Sequence, residues 1–401
     1  MRLSLAYEMQ RPVVDDHAVI EETIEQCVLA DKMGFDAVWF VEHHFLTSFS
    51  MSPCPEVIFG ALSQRTKRIR LGFGVVILPY HHPVRVAERV AMVDHLSGGR
   101  VEFGTGRSAA YEQIGMGIDP RHTRAMWEES LAMIPKIWED GLFSWEGQFW
   151  SVPPRDVRPK PYQKPHPRMW VAALQPATYQ LAAEKGIGVM ALSVAAPSYL
   201  EPHIKAYKER VRHATPVGKV DQRPVAVLDD GPLRRRRQGG ARAGGEIAPD
   251  LLRAGSPVPE GPDAPVRAAR RFVGRRARAP QARTSRAISR RKAPTARPRW
   301  ICPAAPGRSR PRCGTRSTPT LSSTAASSWP AIPRRCLRTI AIHEAAGVDE
   351  LQFLMATETV PHDKVMSSIE MFGRHVIPAL KKKKRRAPAA ARPRTRESAD
   401  D

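Results

Sequence analysis

The sequence predicts an α/β protein built as a (β/α)8 TIM barrel, and three observations carry that prediction. Strand-like and helix-like segments alternate through eight βα units in order. The stretch Gly34–Phe45, GFDAVWFVEHHF, is a continuous apolar run that ends in Glu42, His43 and His44. Such a run suits a strand covered by helices on both faces, and titratable groups at its end stand where barrels keep their chemistry. GTGRSA at 104–109 does not fit the dinucleotide pattern GxGxxG, and no Walker loop occurs, which sets the barrel ahead of a doubly wound sheet.

Each element has a local reason. Arg2–Tyr7 reads as the first strand. His17–Met33 carries Ile20, Ile24, Cys27, Val28 and Leu29 as an apolar helical stripe stopped by Gly34. The histidine-bearing strand follows, then a short helix over Pro55–Gln64 and a buried strand over Ile69–Leu78. Pro83 opens the helix Val84–Leu96, because its missing N–H has no partner to lose there. Ser97-Gly98-Gly99 turns the chain into the strand Arg100–Gly106, and Arg121–Asp140 is a helix with Met126, Leu131, Ile134, Ile137 and Trp138 on one side. A Pro-rich loop with a hairpin-like aromatic piece, Phe143–Trp150, comes next. Strands at Arg168–Leu174, Ile187–Val194 and Arg223–Leu228 alternate with helices at Ala177–Lys185 and Tyr199–His213. The last units are the helix Cys336–Ala346, stopped by Gly347, the strand Glu350–Ala356 and the helix His362–Ile377.

Charge is unevenly spread over the 401 residues. Residues 231–335 hold 24 Arg and one Lys against 4 acidic residues, a net of +21, and 381–401 contribute +6. Out of a total of +23, the remainder is mildly acidic at −4, so a nucleic-acid-binding protein is not expected; the interleaved aromatics that stack bases are also missing from the basic stretch. The barrel is therefore assigned to 1–228 and 336–380, with 229–335 as a low-complexity segment and 381–401 as a basic, unpacked tail. The 229–335 segment is crowded with Arg, Pro, Ala and Gly and lacks helical or strand periodicity, so it cannot offset its chain entropy and is expected to be disordered. Its composition also suggests a reading-frame error in a GC-rich gene: Ser322–Arg335 can be back-translated so that the neighbouring frame reads VEHGGKLVAGDPET. No apolar run approaches a membrane span, no leader peptide is evident, and the five cysteines form no CxxC pair, which together point to a cytoplasmic protein without a metal site.

In a barrel the strand ends converge. The second strand delivers His43 and His44, two imidazoles of which one can move a proton while a neighbour holds the other. The third delivers His81 and His82, and the fourth Arg107 between Gly106 and Ser108. Arg107, with Arg124 from the next helix, suits a phosphate, and the helix start at Ala177-Thr178 adds N–H donors. Taken singly, each arginine is as well explained by a solvated surface charge, and His81-His82 by a structural turn.

With these motifs in place, GFDAVWFVEHHF, VVILPYHHPVRVAERVAMVDHLSGGRVEFGTGR and AAGVDELQFLM…FGRHVIP resemble the bacterial luciferase-like flavin-dependent monooxygenases over roughly 1–228 and 336–380. The resemblance implies a barrel that uses reduced FMN from a separate flavin reductase, with O2, to oxygenate a small organic substrate, as a homodimer or heterodimer. It implies His43 as the base and places His82 in the site. It further implies Arg107 and Arg124 on the phosphate, Gln175 and Thr178 as polar contacts, and a non-proline cis peptide at Gly74-Val75. Hydride transfer with coenzyme F420 on the same barrel, or an inactive product of the frame error, is the alternative. Two positions depart from the family pattern: Gly106 replaces the luciferase cysteine beside the flavin, which argues against light emission, and Leu174 replaces an acidic cofactor contact.

Overall fold

The computed structural model describes residues 1–10, 15–46, 49–192, 197–220, 224–229, 331–355 and 360–386. All of them fall in the unit formed by Met1–Gly255 and Ser327–Asp401. Eight parallel strands close into a barrel: β1 (Arg2–Tyr7), β2 (Ala37–Phe40), β3 (Arg70–Ile77), β4 (Val101–Gly106), β7 (Arg168–Ala173), β8 (Gly188–Leu192), β9 (Val225–Asp229) and β10 (Glu350–Met355). Neighbours run in chain order around the ring, and β10 closes on β1 with Arg2 opposite Glu350. Between β4 and β7 an antiparallel hairpin, β5 (Phe143–Glu146) and β6 (Ser151–Arg155), forms the aromatic piece that the sequence announced.

The helices are α1 (Asp16–Met33), α2 (Pro55–Arg65), α3 (Pro83–Ser97), α4 (Ala110–Gly115), α5 (Thr123–Ile137), α6 (Pro176–Glu184), α7 (Pro197–Arg210), α8 (Ala331–Ala345), α9 (His362–Met371) and α10 (Ile377–Arg386). The anticipated stops hold. Gly34 sits at φ 87° and donates its N–H to Ala30 and Asp31, and Gly98 closes α3 at φ 65°. At the start of α1, Asp15 accepts the Ala18 N–H at 3.0 Å.

Strand alternation separates two cores. Leu3, Leu5, Tyr7, Val38, Phe40, Leu71 and Phe73 face the helices, while Ala6, Ala37, Trp39, Val75, Ile77, Trp170, Met190 and Ala226 fill the lumen. Trp39 and Trp170 meet edge to face there at 5.4 Å. Their room comes from missing side chains. A Cβ at Gly72 would lie 2.4 Å from the Trp39 ring, and one at Gly188 2.6 Å from the Trp170 ring.

Below the tryptophans, an ionic plate seals the N-terminal end of the barrel. Glu102 is fully buried and accepts from Arg70 Nε at 2.6 Å, Arg168 Nη2 at 2.5 Å, Arg2 Nη1 at 3.3 Å and Trp170 Nε1 at 2.9 Å. Glu350 takes the Trp39 Nε1–H at 2.7 Å and pairs with Arg2 at 3.2 Å. Each buried carboxylate is thus matched to cations and N–H donors, the condition under which a charge tolerates burial.

Four features differ from the sequence reading. The short α4 was not anticipated, since it lacks a capping side chain and an apolar stripe. The last helix does not end at Ile377 but passes through a wider turn at Phe372–Val376 into α10, which reaches Arg386, where the tail was expected to be unpacked; Lys383 is held at 2.9 Å by Glu344. Helix α8 starts at Ala331, before the expected Cys336; residues 230–330 of the low-complexity segment lie outside the described residues, as do 387–401 of the tail. The Gly74-Val75 peptide is trans: among the described residues only Arg158-Pro159 and Lys164-Pro165 are cis. The irregularity at this point of β3 is instead a register shift against β4 between Phe73 and Val76, which avoids the cost of a non-proline cis bond.

Candidate active site

The C-terminal ends of β1 to β4 meet at one mouth and supply its chemistry. Because Ala6 faces the lumen, Glu8 two residues later does so too, and it is 5% exposed. Beyond β2 come Glu42, 3% exposed, and the partly buried His43 and His44. A 3-10 turn at Leu78–Tyr80 leads from β3 to His81. Beyond β4 come Arg107 and Ser108, and α4 follows with the buried Glu112. Gln113 fixes that loop, donating to the carbonyls of Arg107 at 2.7 Å and Ser108 at 3.1 Å.

Backbone strain gathers at this mouth. Among the described residues, the non-glycine residues in the left-handed region are Met9 (φ 53°), Phe45 (φ 62°) and Ser108 (φ 60°), just past β1, β2 and β4.

Two buried carboxylates organise the histidines. Glu112 receives His43 Nδ1–H at 3.1 Å to either oxygen, the His44 backbone N–H at 2.6 Å and the Ser108 hydroxyl. Burial alone would raise its pKa, but these donors and the His43 charge hold it below the usual carboxylate range. Glu42 receives His44 Nε2 at 3.1 Å, His81 Nε2 at 2.7 Å and the Ile77 N–H at 2.8 Å, and it too is held low against its burial. Glu112 therefore ties the end of β2 to that of β4, and Glu42 ties it to β3.

His43 itself is bracketed. Burial acts to lower its pKa, but the bond to Glu112 and the charges of Glu8, Glu112 and Glu42 outweigh it, so the ring holds its proton more tightly than a free histidine. Glu8 lies 3.7 Å from Nε2. Burial pushes the Glu8 carboxyl up to about 7, with Glu112 adding and His43 and Ser50 opposing.

The anion-suited residues stand beside this network. Arg107 and Arg124 are both exposed; partial desolvation and then the charge of Arg124 lower Arg107, with Glu128 opposing. Arg124 is partly occupied by Glu128 at 3.0 Å. Gln175 precedes α6 and is exposed, its side chain not spent on capping; Thr178 is half-buried in the first turn and gives its N–H to the Gln175 carbonyl at 2.9 Å. Val75, Tyr80, Leu228 and Leu354 belong to or pack against the lumen core and give the mouth an apolar floor. A Cβ at Gly106 would come within 2.5 Å of Val75 Cγ2, so the luciferase cysteine has no room here, while Gly74 has 3.4 Å to Trp39 Cβ. Exposed guanidiniums after β4 and in the first turn of α5, at the same end of the barrel as this apolar surface, are donors of the kind that a phosphate-bearing cofactor takes. Among the described residues no cluster of three His, Cys, Asp or Glu is arranged to hold a metal, and no helix is long and apolar enough to cross a membrane.

Of the sequence-derived candidates, His43, His44, Gly74, Val75, Arg107 and Arg124 stand at this mouth, and Gln175 and Thr178 at the end of β7. His82 does not join the histidine network. It is exposed, its Nδ1 accepts the Val84 N–H at 3.2 Å as the cap of α3, and its ring rests against Trp150. Its neighbour His81 is the one turned to Glu42. The sequence reading missed Glu8 and Glu112 as site residues; it left His81 and His82 undivided between a pocket and a turn, and named Ser108 only as the neighbour of Arg107. Pro83 was the signal for His81: a proline in the first helical position makes the preceding residue the cap, so the capping side chain turns back to its own helix.

The family model described as luciferase-like monooxygenase matches residues 2–238. The oxygenase component of the flavin-dependent trigonelline monooxygenase of Acinetobacter baylyi is 35% identical over 195 residues, covering 47% of this chain and 53% of that protein. The chain spans about half the length of the curated relatives it matches. Among solved structures, the oxygenating constituent of 3,6-diketocamphane monooxygenase from Pseudomonas putida, in complex with FMN, has a TM-score of 0.63 at 18% identity, over 94% of this chain and 98% of that one. The coenzyme F420 dependent tetrahydromethanopterin reductase from Methanopyrus kandleri has a TM-score of 0.58 at 16% identity, over 94% and 99%. These two likenesses bear on the fold alone.

Proposed function

The chain belongs to the luciferase-like monooxygenase family, and on that premise we propose that it is the oxygenase component of a two-component system. It takes reduced FMN from a separate flavin reductase, uses O2 and oxygenates a small organic substrate in the cytoplasm. The observation that carries this reading is the meeting, at one barrel mouth, of His43, held at Nδ1 by Glu112, with the guanidiniums of Arg107 and Arg124.

When bound, reduced FMN supplies the electrons that activate O2. The chain's own residues do the rest. Arg107 and Arg124 hold the phosphate, with polar help from Gln175 and Thr178, and the gain is largest where their mutual repulsion is relieved. Val75, Tyr80, Leu228 and Leu354 offer an apolar, water-poor surface to a flat ring and an organic substrate. Glu112 fixes His43 by Nδ1, so that Nε2, 3.7 Å from Glu8, is the nitrogen left to give or take a proton. Glu42 fixes His44 and His81 in turn.

The shared fold of F420 enzymes supports a second reading, hydride transfer with coenzyme F420 and no oxygen. Large apolar residues exposed on α2 and α3, Val57, Met92 and Leu96, support a dimer, which sedimentation checks. The deciding experiment is anaerobic titration with reduced FMN, riboflavin and reduced F420, followed by mixing with aerated buffer. Binding of FMN in preference to riboflavin, then O2 uptake, is the expected result. Binding of F420 alone supports the second reading, and binding of neither cofactor removes both.

A further inference from the structure

Strand β1 brings to the site an acid that the proposed function leaves unused. Glu8 sits beneath His43 in the lumen, 5% exposed, just before the strained Met9 at φ 53°. The imidazole of His43 therefore lies between two carboxyl groups, Glu112 at 3.1 Å from Nδ1 and Glu8 at 3.7 Å from Nε2. A neutral imidazole has one N–H and can serve only one of them. Either the ring is charged and faces two carboxylates, or it is neutral toward Glu8 and Glu8 carries the proton.

We propose that Glu8 and His43 share one exchangeable proton, Glu8 being a positioning residue that takes it up whenever His43 turns neutral. In the first state Glu8 and Glu112 are ionised and His43 is charged. In the second, the Nε2 proton has moved to Glu8 Oε2 while Nδ1–H stays on Glu112. The cluster carries a net charge of −1 in both states, and no electrons move. Constant charge is the advantage, because a change of charge in a buried site is costly. At 3.7 Å the transfer requires a small ring movement or one bridging water.

Every group facing Glu8 fits this role. His43 comes from the end of β2, Glu112 from α4 and the Ser50 hydroxyl from the loop before α2. The charge of Glu42 also acts on His43. Burial raises the Glu8 carboxyl to about 7 against the opposing charge of His43, while Glu112, Glu8 and Glu42 raise His43 against its burial.

The proposal deepens the reading of His43 as the proton-transfer group, so its test uses the protein without cofactor. Histidine nitrogen resonances are followed against pH in the wild type and Glu8→Gln, with His43 assigned by its loss in His43→Gln. The wild type should give a two-step His43 curve, and Glu8→Gln a single step with its midpoint lower by about one pH unit or more. In the reciprocal arm, difference infrared follows the Glu8 carboxylic-acid carbonyl band, assigned by its absence in Glu8→Gln. In His43→Gln that band should persist to higher pH than in the wild type. Superimposable His43 curves, or an infrared band that titrates identically without His43, overturn the proposal. Should Glu8→Gln fail to fold, Glu8→Asp, which draws the carboxyl back, must lower the His43 midpoint. Loss of flavin binding would leave these curves untouched, and the reverse also holds, so the two failures are distinguishable.

Discussion

Replacing Glu102 by Gln keeps the shape of the side chain and removes its charge from among three guanidiniums. In the native plate that carboxylate accepts from Arg2, Arg70, Arg168 and the Trp170 indole, all within 3.3 Å, and it has no exposure to water. The amide can still accept from one or two of these donors, but it presents N–H where an acceptor is needed and leaves Arg2, Arg70 and Arg168 repelling one another. Removing one partner from a buried ionic cluster costs about 3–5 kcal/mol. Urea unfolding followed by tryptophan fluorescence reads the loss as a lower midpoint at unchanged slope. The pH dependence has a definite sign. Burial pushes the Glu102 carboxyl up, but Arg70, Arg168 and Arg2 hold it below the ordinary range. A lowered acid gives stability that is present above its unfolded pKa and lost as pH falls through its folded value, so wild type and variant should converge on acidification. A loss below about 1 kcal/mol at neutral pH, or a gap that widens in acid, would refute the reasoning, because intact buried pairs near break-even do not behave as a hub whose centre is missing.

Other outcomes follow from the same geometry. Arg107→Ala and Arg124→Ala should each weaken FMN binding by roughly ten- to a hundredfold, as expected for a lost charge-assisted bond of about 1.5–3 kcal/mol, while riboflavin binding changes little; fluorescence titration measures both. Gly104→Ala should not accumulate as folded protein, since its Cβ would lie 2.1 Å from the Phe73 carbonyl oxygen inside the sheet; soluble yield and circular dichroism check this. Glu8 is an acid raised to about 7, so the stability tied to it is present below its unfolded pKa and lost as pH climbs through 7. Thermal melts should show the wild type losing roughly 3 kcal/mol, an order-of-magnitude figure, between pH 5 and pH 8 relative to Glu8→Gln.

The barrel was legible because its signals are local. Gly34 and Gly98 stop helices whatever surrounds them, Pro83 starts one, and buried apolar runs such as Ala37–Phe40 and Arg70–Ile77 read as interior strands without knowledge of their partners. The positions of His43 and Arg107 followed from strand order alone. What the sequence hid is relational. Glu8 becomes a site residue only when β1 lies beside β2, and Glu112 only when a six-residue, uncapped helix folds back over His43. The need for glycine at 72 and 188 depends on which tryptophan fills the lumen opposite, a fact carried by residues far away in sequence. His81 and His82 differ by one step, and only the cap on α3 tells them apart.

Met9, Phe45 and Ser108 hold the rim in a backbone state that L side chains resist, at about 1–2 kcal/mol apiece, while the opposite end of the same strands is cemented by salt bridges. Warming should therefore loosen the rim before the foundation. Catalytic competence would vanish at temperatures where the amides of β4 and β7 near Glu102 still resist deuterium, and cooling from that point would restore it.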